Sequence, residues 1–120
     1  ELKTAENTRL NLSVAVNFGG RWDIVNAART LAQQVASGTL LPEDLNENAF
    51  ASAMSLTDIP EPDLMIRTGG DHRISNFLLW DLAYTELYFT DIFWPDFDAA
   101  ALQEAVATYA QRKRRFGRRQ

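Results

Sequence analysis

The chain has 120 residues, of which 46% are hydrophobic and 23% are charged, with a net charge of −4 and no cysteine. This length suits one hydrophobic core, and the composition is that of a folded domain rather than a disordered segment. The lack of cysteine excludes a disulfide scaffold, a thiolate metal site and a cysteine nucleophile. No apolar run approaches the ~20 residues that span a bilayer, and no signal peptide opens the chain, which predicts a cytoplasmic protein.

Charge is distributed unevenly along the chain. All sixteen acidic residues and only six basic ones lie in residues 1–111, which therefore carry a net charge of −10. The other six basic residues are Arg112, Lys113, Arg114, Arg115, Arg118 and Arg119. Such a block suits a helix end that is solvated or contacts substrate, an anionic lipid surface, or nucleic acid. The acidic body disfavours nucleic acid, because it repels a phosphate backbone.

The first third of the chain predicts a strand followed by a helix. Apolar residues alternate with small or polar ones from Leu10 to Phe18, a period of two that predicts a β-strand over residues 10–18. Gly19-Gly20 ends this strand, and apolar residues then recur at helical spacing as far as Ser37-Gly38. Pro42 predicts the entrance of a second helix over about residues 43–54.

The middle of the chain predicts two more strands. Residues 63–67 have the composition of a buried strand, and Gly69-Gly70 follow it as a turn. Residues 86–90, rich in aromatic side chains, predict the third strand. Between these strands, Ser75 is a candidate cap for a short helix that runs to Trp80.

The last predicted helix has a clear start. Asp98 is its predicted N-cap, and Phe97 and Leu102 have the spacing of a hydrophobic staple. An apolar stripe continues along it through Val106 and Tyr109.

The order of elements predicts the α/β class, with parallel strands joined by crossover connections. Three strands leave two open sheet edges, which natural domains avoid, and the chain begins without methionine a few residues before a strand. We therefore expect the C-terminal half of an open, mostly parallel sheet that is flanked by helices.

Glycine doublets and arginines come together where two predicted strands end. The two segments are Asn17-Phe18-Gly19-Gly20-Arg21 and Arg67-Thr68-Gly69-Gly70-Asp71-His72-Arg73. In open α/β sheets, ligands bind at the carboxyl ends of strands, where glycine lets the backbone come close. Arg67, Arg73 and Ser75 are therefore a candidate diphosphate cradle, since the guanidinium fork matches phosphate oxygens. The spacing leaves open an alternative in which the glycines only end strands and the arginines form surface ion pairs.

Two titratable residues near this cradle have open interpretations. His72, the only histidine, is either a general base, a metal ligand or a polar surface residue. Glu86 either holds Mg²⁺ beside a diphosphate or forms a strand-end ion pair with an arginine. The aromatic residues of the stretch 77–97 are interpreted mainly as core packing. Without a Walker loop or a GxGxxG fingerprint, NTPase and dinucleotide-binding functions have no support.

Four stretches of the chain form longer motifs. They are residues 63–80 (DLMIRTGGDHRISNFLLW), residues 83–91 (AYTELYFTD) with residues 94–97 (WPDF), residues 17–21 (NFGGR), and residues 115–117 (RFG). All four resemble motifs of the cis-prenyltransferase family, most closely those of its bacterial branch, the undecaprenyl diphosphate synthases. The resemblance covers nearly the whole chain.

This resemblance implies a Mg²⁺-dependent transferase that condenses isopentenyl diphosphate repeatedly onto farnesyl diphosphate, forming cis double bonds. The product of the bacterial branch, undecaprenyl diphosphate, is the lipid carrier for peptidoglycan synthesis in cell-wall biogenesis. The resemblance assigns Glu86 to the metal, and it assigns these residues to the isopentenyl diphosphate site: Arg67, Arg73, Ile74, Ser75, Arg115 and Gly117. It also implies a homodimer, in which Arg115 and Gly117 close the site of the other subunit. It further implies peripheral contact with the inner face of the membrane.

The family's N-terminal half carries an Asp-Gly-Asn-Gly-Arg-Trp motif that this sequence lacks. Gly19-Gly20-Arg21-Trp22 is similar, but no Asp-Gly precedes it. Residues 1–120 are therefore expected to be the C-terminal half of one catalytic domain, to contain no catalytic residue, and to be inactive without the N-terminal half. Two alternatives stay open: a non-catalytic partner subunit of a prenyltransferase complex, and a phosphate-binding or nucleic-acid-binding module that uses the basic tail.

Overall fold

The structure is a computed structural model that describes residues 2–112. Its helices and strands are α1 (Gly20–Ala36), α2 (Glu47–Ser52), β1 (Leu64–Arg67), β2 (Glu86–Phe89) and α3 (Ala99–Gln111). Short 3₁₀ turns lie at Leu2–Thr4, Pro42–Asp44 and Trp94–Asp96. The predicted α/β class is confirmed. In the described range, no helix combines the length and the apolar character that a membrane span requires.

The sheet consists of β1 and β2, which pair in parallel. Leu64 lies opposite Glu86 at one end of the pair, and Arg67 lies opposite Phe89 at the other. The Thr90 N–H extends the ladder by donating to the Arg67 carbonyl at 3.0 Å. The strands predicted at 63–67 and 86–90 are thus confirmed to within one residue. Their carboxyl ends form one edge, which is the edge where α/β proteins bind ligands.

The strand predicted over residues 10–18 is not formed. These residues belong to neither described strand, and the sheet of residues 2–112 has two strands instead of the predicted three. Leu10, Leu12, Val14 and Val16 are each between 74% and 82% exposed. A strand needs a neighbour for its backbone N–H and C=O groups, and neither strand of the β1–β2 pair supplies one for this segment. Asn17 has φ of 54°, which is incompatible with a β-strand.

Helix α1 confirms the helix predicted between Gly19-Gly20 and Ser37-Gly38, and it packs against the hydrophobic core. Among the described residues, the buried hydrophobic side chains are Ala27, Leu31, Met54, Leu78, Leu82, Ala101 and Ala105. Asp23, on the first turn of α1, is the only charged side chain buried among the described residues, at 1% exposure. Its Oδ1 accepts hydrogen bonds from the Ser55 backbone N–H at 3.1 Å and from the Ser55 hydroxyl at 2.5 Å. This pair satisfies the buried carboxylate and ties α1 to the segment after α2.

The single helix predicted over 43–54 is divided in two. A 3₁₀ turn at Pro42–Asp44 ends at Leu45, whose backbone is extended, and α2 then begins at Glu47. Asn46 causes the restart, because its side chain accepts the Ala49 N–H at 3.0 Å as an N-cap.

The short helix predicted from Ser75 to Trp80 is absent, and residues 76–80 form turns and bends. Ser75 has φ of 54°, which lies in the left-handed region rather than the extended region of an N-cap. The apolar side chains of this segment still pack: Leu78 is buried, and the Trp80 ring lies tilted against Phe50 with 4.7 Å between ring centroids.

Helix α3 starts where the sequence predicts. The Asp98 side chain accepts the Ala101 N–H at 2.9 Å. The side chains that α3 buries are Ala101 and Ala105, one position before the predicted stripe, whereas Leu102 and Val106 are about half exposed. Arg112, the first residue of the basic block, caps the helix, and the remainder of that block lies outside the described residues.

Candidate functional site

Four side chains converge just beyond the carboxyl end of β1, and we call them the arginine cluster: Arg67, Asp71, Arg73 and Ser75. Arg67 is at its centre and is 24% exposed. One guanidinium nitrogen of Arg67 donates to the Ser75 hydroxyl at 2.7 Å and to the Arg73 carbonyl. The other donates to the Asp71 carboxylate at 2.7 Å. A single strand-end arginine therefore fixes three points of the loop that follows it.

Asp71 joins the two arginines of the cluster. Its Oδ2 accepts from Arg67 and from Arg73, each at 2.7 Å. Arg73 is 66% exposed, and within residues 2–112 this contact is its one side-chain hydrogen bond. Each guanidinium carries five N–H donors, so both arginines retain N–H groups that can bind an anion. Two positive charges against one negative charge leave the cluster with a net charge of +1.

The Gly69-Gly70 turn brings the loop back over the strand end. Both glycines have positive φ, 87° and 83°, which side-chain-bearing residues rarely adopt. Their N–H groups donate to the carbonyls of Ile92 and Thr90 at 2.9 and 3.0 Å. The turn is thereby fixed to the segment that leaves β2, and Asp71 is placed beside Arg67.

The other predicted glycine motif, residues 17–21, contacts the end of this same loop. Asn76 follows Ser75, and its backbone carbonyl accepts the Gly20 N–H at 3.1 Å. Its side-chain oxygen accepts the Arg21 N–H at 2.9 Å. Sequence reasoning did not identify Asn76, since no local pattern indicates that it caps a helix 55 residues away. It also did not identify Asp71 as the bridge between the arginines.

His72 and Ile74 alternate with the cluster residues. The His72 ring is exposed and packs on Phe89 with 5.3 Å between ring centroids. Ile74 is partly buried. The described part of the chain contains no group of three or more His, Cys, Asp or Glu side chains placed to hold a metal ion.

Glu86 lies at the opposite end of the sheet from Arg67. The register puts Glu86 opposite Leu64, roughly 10 Å along the strands from Arg67 at ~3.3 Å per residue. Within one copy of the chain, Glu86 therefore does not lie at the arginine cluster, and its assignment to a metal beside a diphosphate stays a prediction. The alternative contact, an ion pair, is present: Arg112 donates to Glu86 Oε2 and to the Leu87 carbonyl, both at 2.9 Å. Two other predicted site residues, Arg115 and Gly117, lie outside the described residues.

The aromatic side chains near β2 are less buried than predicted. Tyr84, Phe93 and Trp94 are mostly exposed, and Phe77 is nearly half exposed. An open hollow of about 440 Å³ lies beside β1, lined by Ile66, Trp94, Phe97, Asp98, Ala99 and Leu102. Core packing therefore does not describe the role of these exposed rings in the structure.

Comparison with known proteins shows the family to which the chain belongs. Residues 1–117 match the Prenyltransf family model, which is described as undecaprenyl diphosphate synthase. The chain belongs to this family of cis-prenyltransferases. It is 60% identical over 117 residues to a (2E,6E)-farnesyl-diphosphate-specific ditrans,polycis-undecaprenyl-diphosphate synthase of Xanthomonas axonopodis pv. citri, covering 98% of this chain and 46% of the relative. The synthase of the same description from Pseudomonas syringae pv. tomato is 53% identical, with coverage of 98% and 47%.

Solved structures of cis-prenyltransferases have the same fold. Lavandulyl diphosphate synthase from Lavandula x intermedia, in complex with dimethylallyl diphosphate, superposes with a TM-score of 0.83 at 48% identity, covering 87% of this chain and 45% of that one. A probable undecaprenyl diphosphate synthase from Campylobacter jejuni gives 0.77 at 31% identity, covering 98% and 52%. The chain spans about half the length of the curated relatives it matches and aligns with their C-terminal part.

Proposed function

We propose that this chain supplies the isopentenyl diphosphate site of a cis-prenyltransferase that elongates farnesyl diphosphate to undecaprenyl diphosphate. One observation carries the proposal: Arg67 and Arg73 meet around one oxygen of the Asp71 carboxylate at the carboxyl end of β1, and Arg67 also donates to the Ser75 hydroxyl. A carboxylate that two guanidinium groups hold at 2.7 Å marks a position suited to a phosphate oxygen. The sequence likeness to named synthases supports the identity of the diphosphate.

The chemistry assigned to the cluster is anchoring and charge stabilisation. The two guanidiniums and the Ser75 hydroxyl bind the diphosphate of isopentenyl diphosphate, with Ile74 contributing to the same site. Anchoring that group fixes the distal double bond relative to the allylic carbon, and bond formation depends on this alignment. Positive charge held in place before substrate arrives costs no reorganisation during the reaction.

Magnesium dependence is part of the proposal, and it rests on family membership. The described residues of one copy do not fit a magnesium ion by themselves, because Glu86 is held by Arg112 and lies away from the arginine cluster. When bound, magnesium would supply charge neutralisation of a diphosphate. We keep Glu86 as the proposed ligand from this chain, with the other ligands outside residues 2–112.

The remaining features of the whole protein are also proposals. We propose that residues 1–120 form the C-terminal half of one catalytic domain, that Arg115 and Gly117 complete the isopentenyl diphosphate site in a homodimer, and that the protein is cytoplasmic with peripheral membrane contact. Because the family's Asp-Gly-Asn-Gly-Arg-Trp motif is absent from the 120 residues, we propose that they have no turnover alone.

A product assay tests the proposed reaction. Labelled isopentenyl diphosphate and farnesyl diphosphate are incubated with the complete gene product and, separately, with residues 1–120, each with Mg²⁺ or with EDTA. We expect long extractable polyprenyl product only from the complete protein with Mg²⁺. Isopentenyl diphosphate binding without product from the complete protein would instead support the non-catalytic subunit, and the absence of both would reject the proposal.

The Ser75 hydroxyl provides a test of the cradle. Ser75→Ala in the complete gene product is expected to raise the KM for isopentenyl diphosphate about tenfold, because one hydrogen bond involving a charged partner is lost. Ser52→Ala is the matched control, since its hydroxyl bonds the Asn48 carbonyl on α2. Steady-state kinetics with varied isopentenyl diphosphate measures both variants. Equal KM values for the two would remove Ser75 from the site.

A further inference from the structure

Ser75 adopts a conformation that its neighbours must maintain. Its φ of 54° is unfavourable for a residue with a side chain, and such strain persists only where the surroundings over-determine it. Arg67 holds the Ser75 hydroxyl from the strand side. The other side of the loop is held by the next residue, Asn76, to which the proposed function gives no role.

Asn76 binds two adjacent N–H groups at the start of α1. Its carbonyl accepts from Gly20 at 3.1 Å, and its side-chain oxygen accepts from Arg21 at 2.9 Å. The first N–H groups of a helix have no partner within the helix. Gly19, the N-cap of α1, has no side chain to supply one. Asn76 therefore acts as the cap from a distant part of the chain, and α1 in return fixes the end of the cluster loop.

The glycines at the start of α1 match this contact. Gly19 has φ of −149° and ψ of 126°, which any residue adopts, so its backbone does not require glycine. A Cβ on Gly19 would lie 2.8 Å from Asn76 Nδ2, so a larger residue at this position would push the Asn76 amide aside. A Cβ on Gly20 would collide with the Phe77 carbonyl oxygen. Gly19 thus makes room for the Asn76 side chain, and Gly20 makes room for the backbone that follows it.

From these contacts we infer that Asn76 is a positioning residue for the isopentenyl diphosphate site. Its capping of α1 holds the loop of residues 71–75 so that the Ser75 hydroxyl and the Arg73 backbone face Arg67. The assignment of a ligand to this loop rests on the proposed function. The mechanical link between α1 and the loop rests on the hydrogen bonds alone.

A double-mutant cycle in the complete gene product tests this role. We expect Asn76→Ala to raise the KM for isopentenyl diphosphate about tenfold with a much smaller change in kcat, the scale of one lost hydrogen bond. Gly19→Ala is expected to raise the same KM, since its methyl group displaces the Asn76 amide. In the Asn76→Ala background, Gly19→Ala should have no further effect, because the amide it displaces is gone.

Gly38→Ala is the matched control. Gly38 lies at the other end of α1 with φ of 75° and open space around it, so alanine there strains α1 without touching Asn76. We expect it to lower the Tm and leave the KM unchanged. A KM within twofold of the wild type in Asn76→Ala, or additive effects in the cycle, would overturn the inference.

Hydrogen exchange separates this inference from the proposed function. Amide exchange of residues 71–75, measured without ligand, should accelerate in Asn76→Ala and not in Gly38→Ala. If the wild type fails to bind isopentenyl diphosphate, the proposed function fails, and the exchange rates still decide whether Asn76 orders the loop. Unchanged exchange in Asn76→Ala would reject the positioning role.

Discussion

Replacing Arg67 with alanine is expected to raise the KM for isopentenyl diphosphate about 100-fold or more in the complete gene product. A hydrogen bond to a charged group contributes about 1.5–3 kcal/mol, and a bidentate contact contributes two of them. The substitution also releases Asp71, Ser75 and the Arg73 carbonyl, which Arg67 holds in one arrangement. Steady-state kinetics and calorimetric titration of isopentenyl diphosphate measure the loss.

Two control variants make this result specific. Arg67→Lys keeps the positive charge but cannot bridge several loop positions with a planar fork, so we expect it to recover only a small part of the affinity. Arg29→Ala removes an exposed arginine from α1 and should leave the KM unchanged. If Arg67→Ala bound isopentenyl diphosphate as tightly as Arg29→Ala, the arginine cluster would not be the diphosphate site.

The second large effect is expected from Gly20→Ala, and it concerns stability. The new methyl group would collide with the Phe77 carbonyl oxygen and lie 2.7 Å from Leu79 Cγ. Backbone does not yield as a flexible side chain does, so α1 must move away from the 76–79 segment. We expect a loss of roughly 3 kcal/mol in the free energy of unfolding, the scale of a severe core overpacking. Urea denaturation of the complete gene product measures it.

Gly38→Ala again provides the comparison, because it strains a left-handed position where no atom lies within 4 Å of the new methyl group. We expect it to lose about 1 kcal/mol, the cost of a side chain at positive φ. A Gly20→Ala variant that is as stable as Gly38→Ala would show that α1 and the 76–79 segment do not pack as the structure describes.

Local patterns in the sequence were sufficient for elements that local forces define. The helix from Gly20, the Asp98 cap and the two short strands were predicted because periodicity and capping act within a few residues. The strand predicted over 10–18 did not form, since pairing depends on a neighbour that the pattern cannot supply. The prediction of a helix from Ser75 to Trp80 was wrong for a related reason. Contacts with Arg67 and with α1, which are distant in sequence, determine the backbone conformation at the start of this segment.

The candidate site shows the same division. Sequence alone predicted Arg67, Arg73 and Ser75 as candidates for a diphosphate cradle after a strand, and the motifs indicated the family that the comparisons confirm. Only the tertiary structure decided that Asp71 bridges the two arginines, that Asn76 caps α1, and that Glu86 lies at the far end of the sheet. Residue chemistry and short-range periodicity are properties of the sequence itself. Strand register and contacts across 55 residues depend on how the whole chain packs.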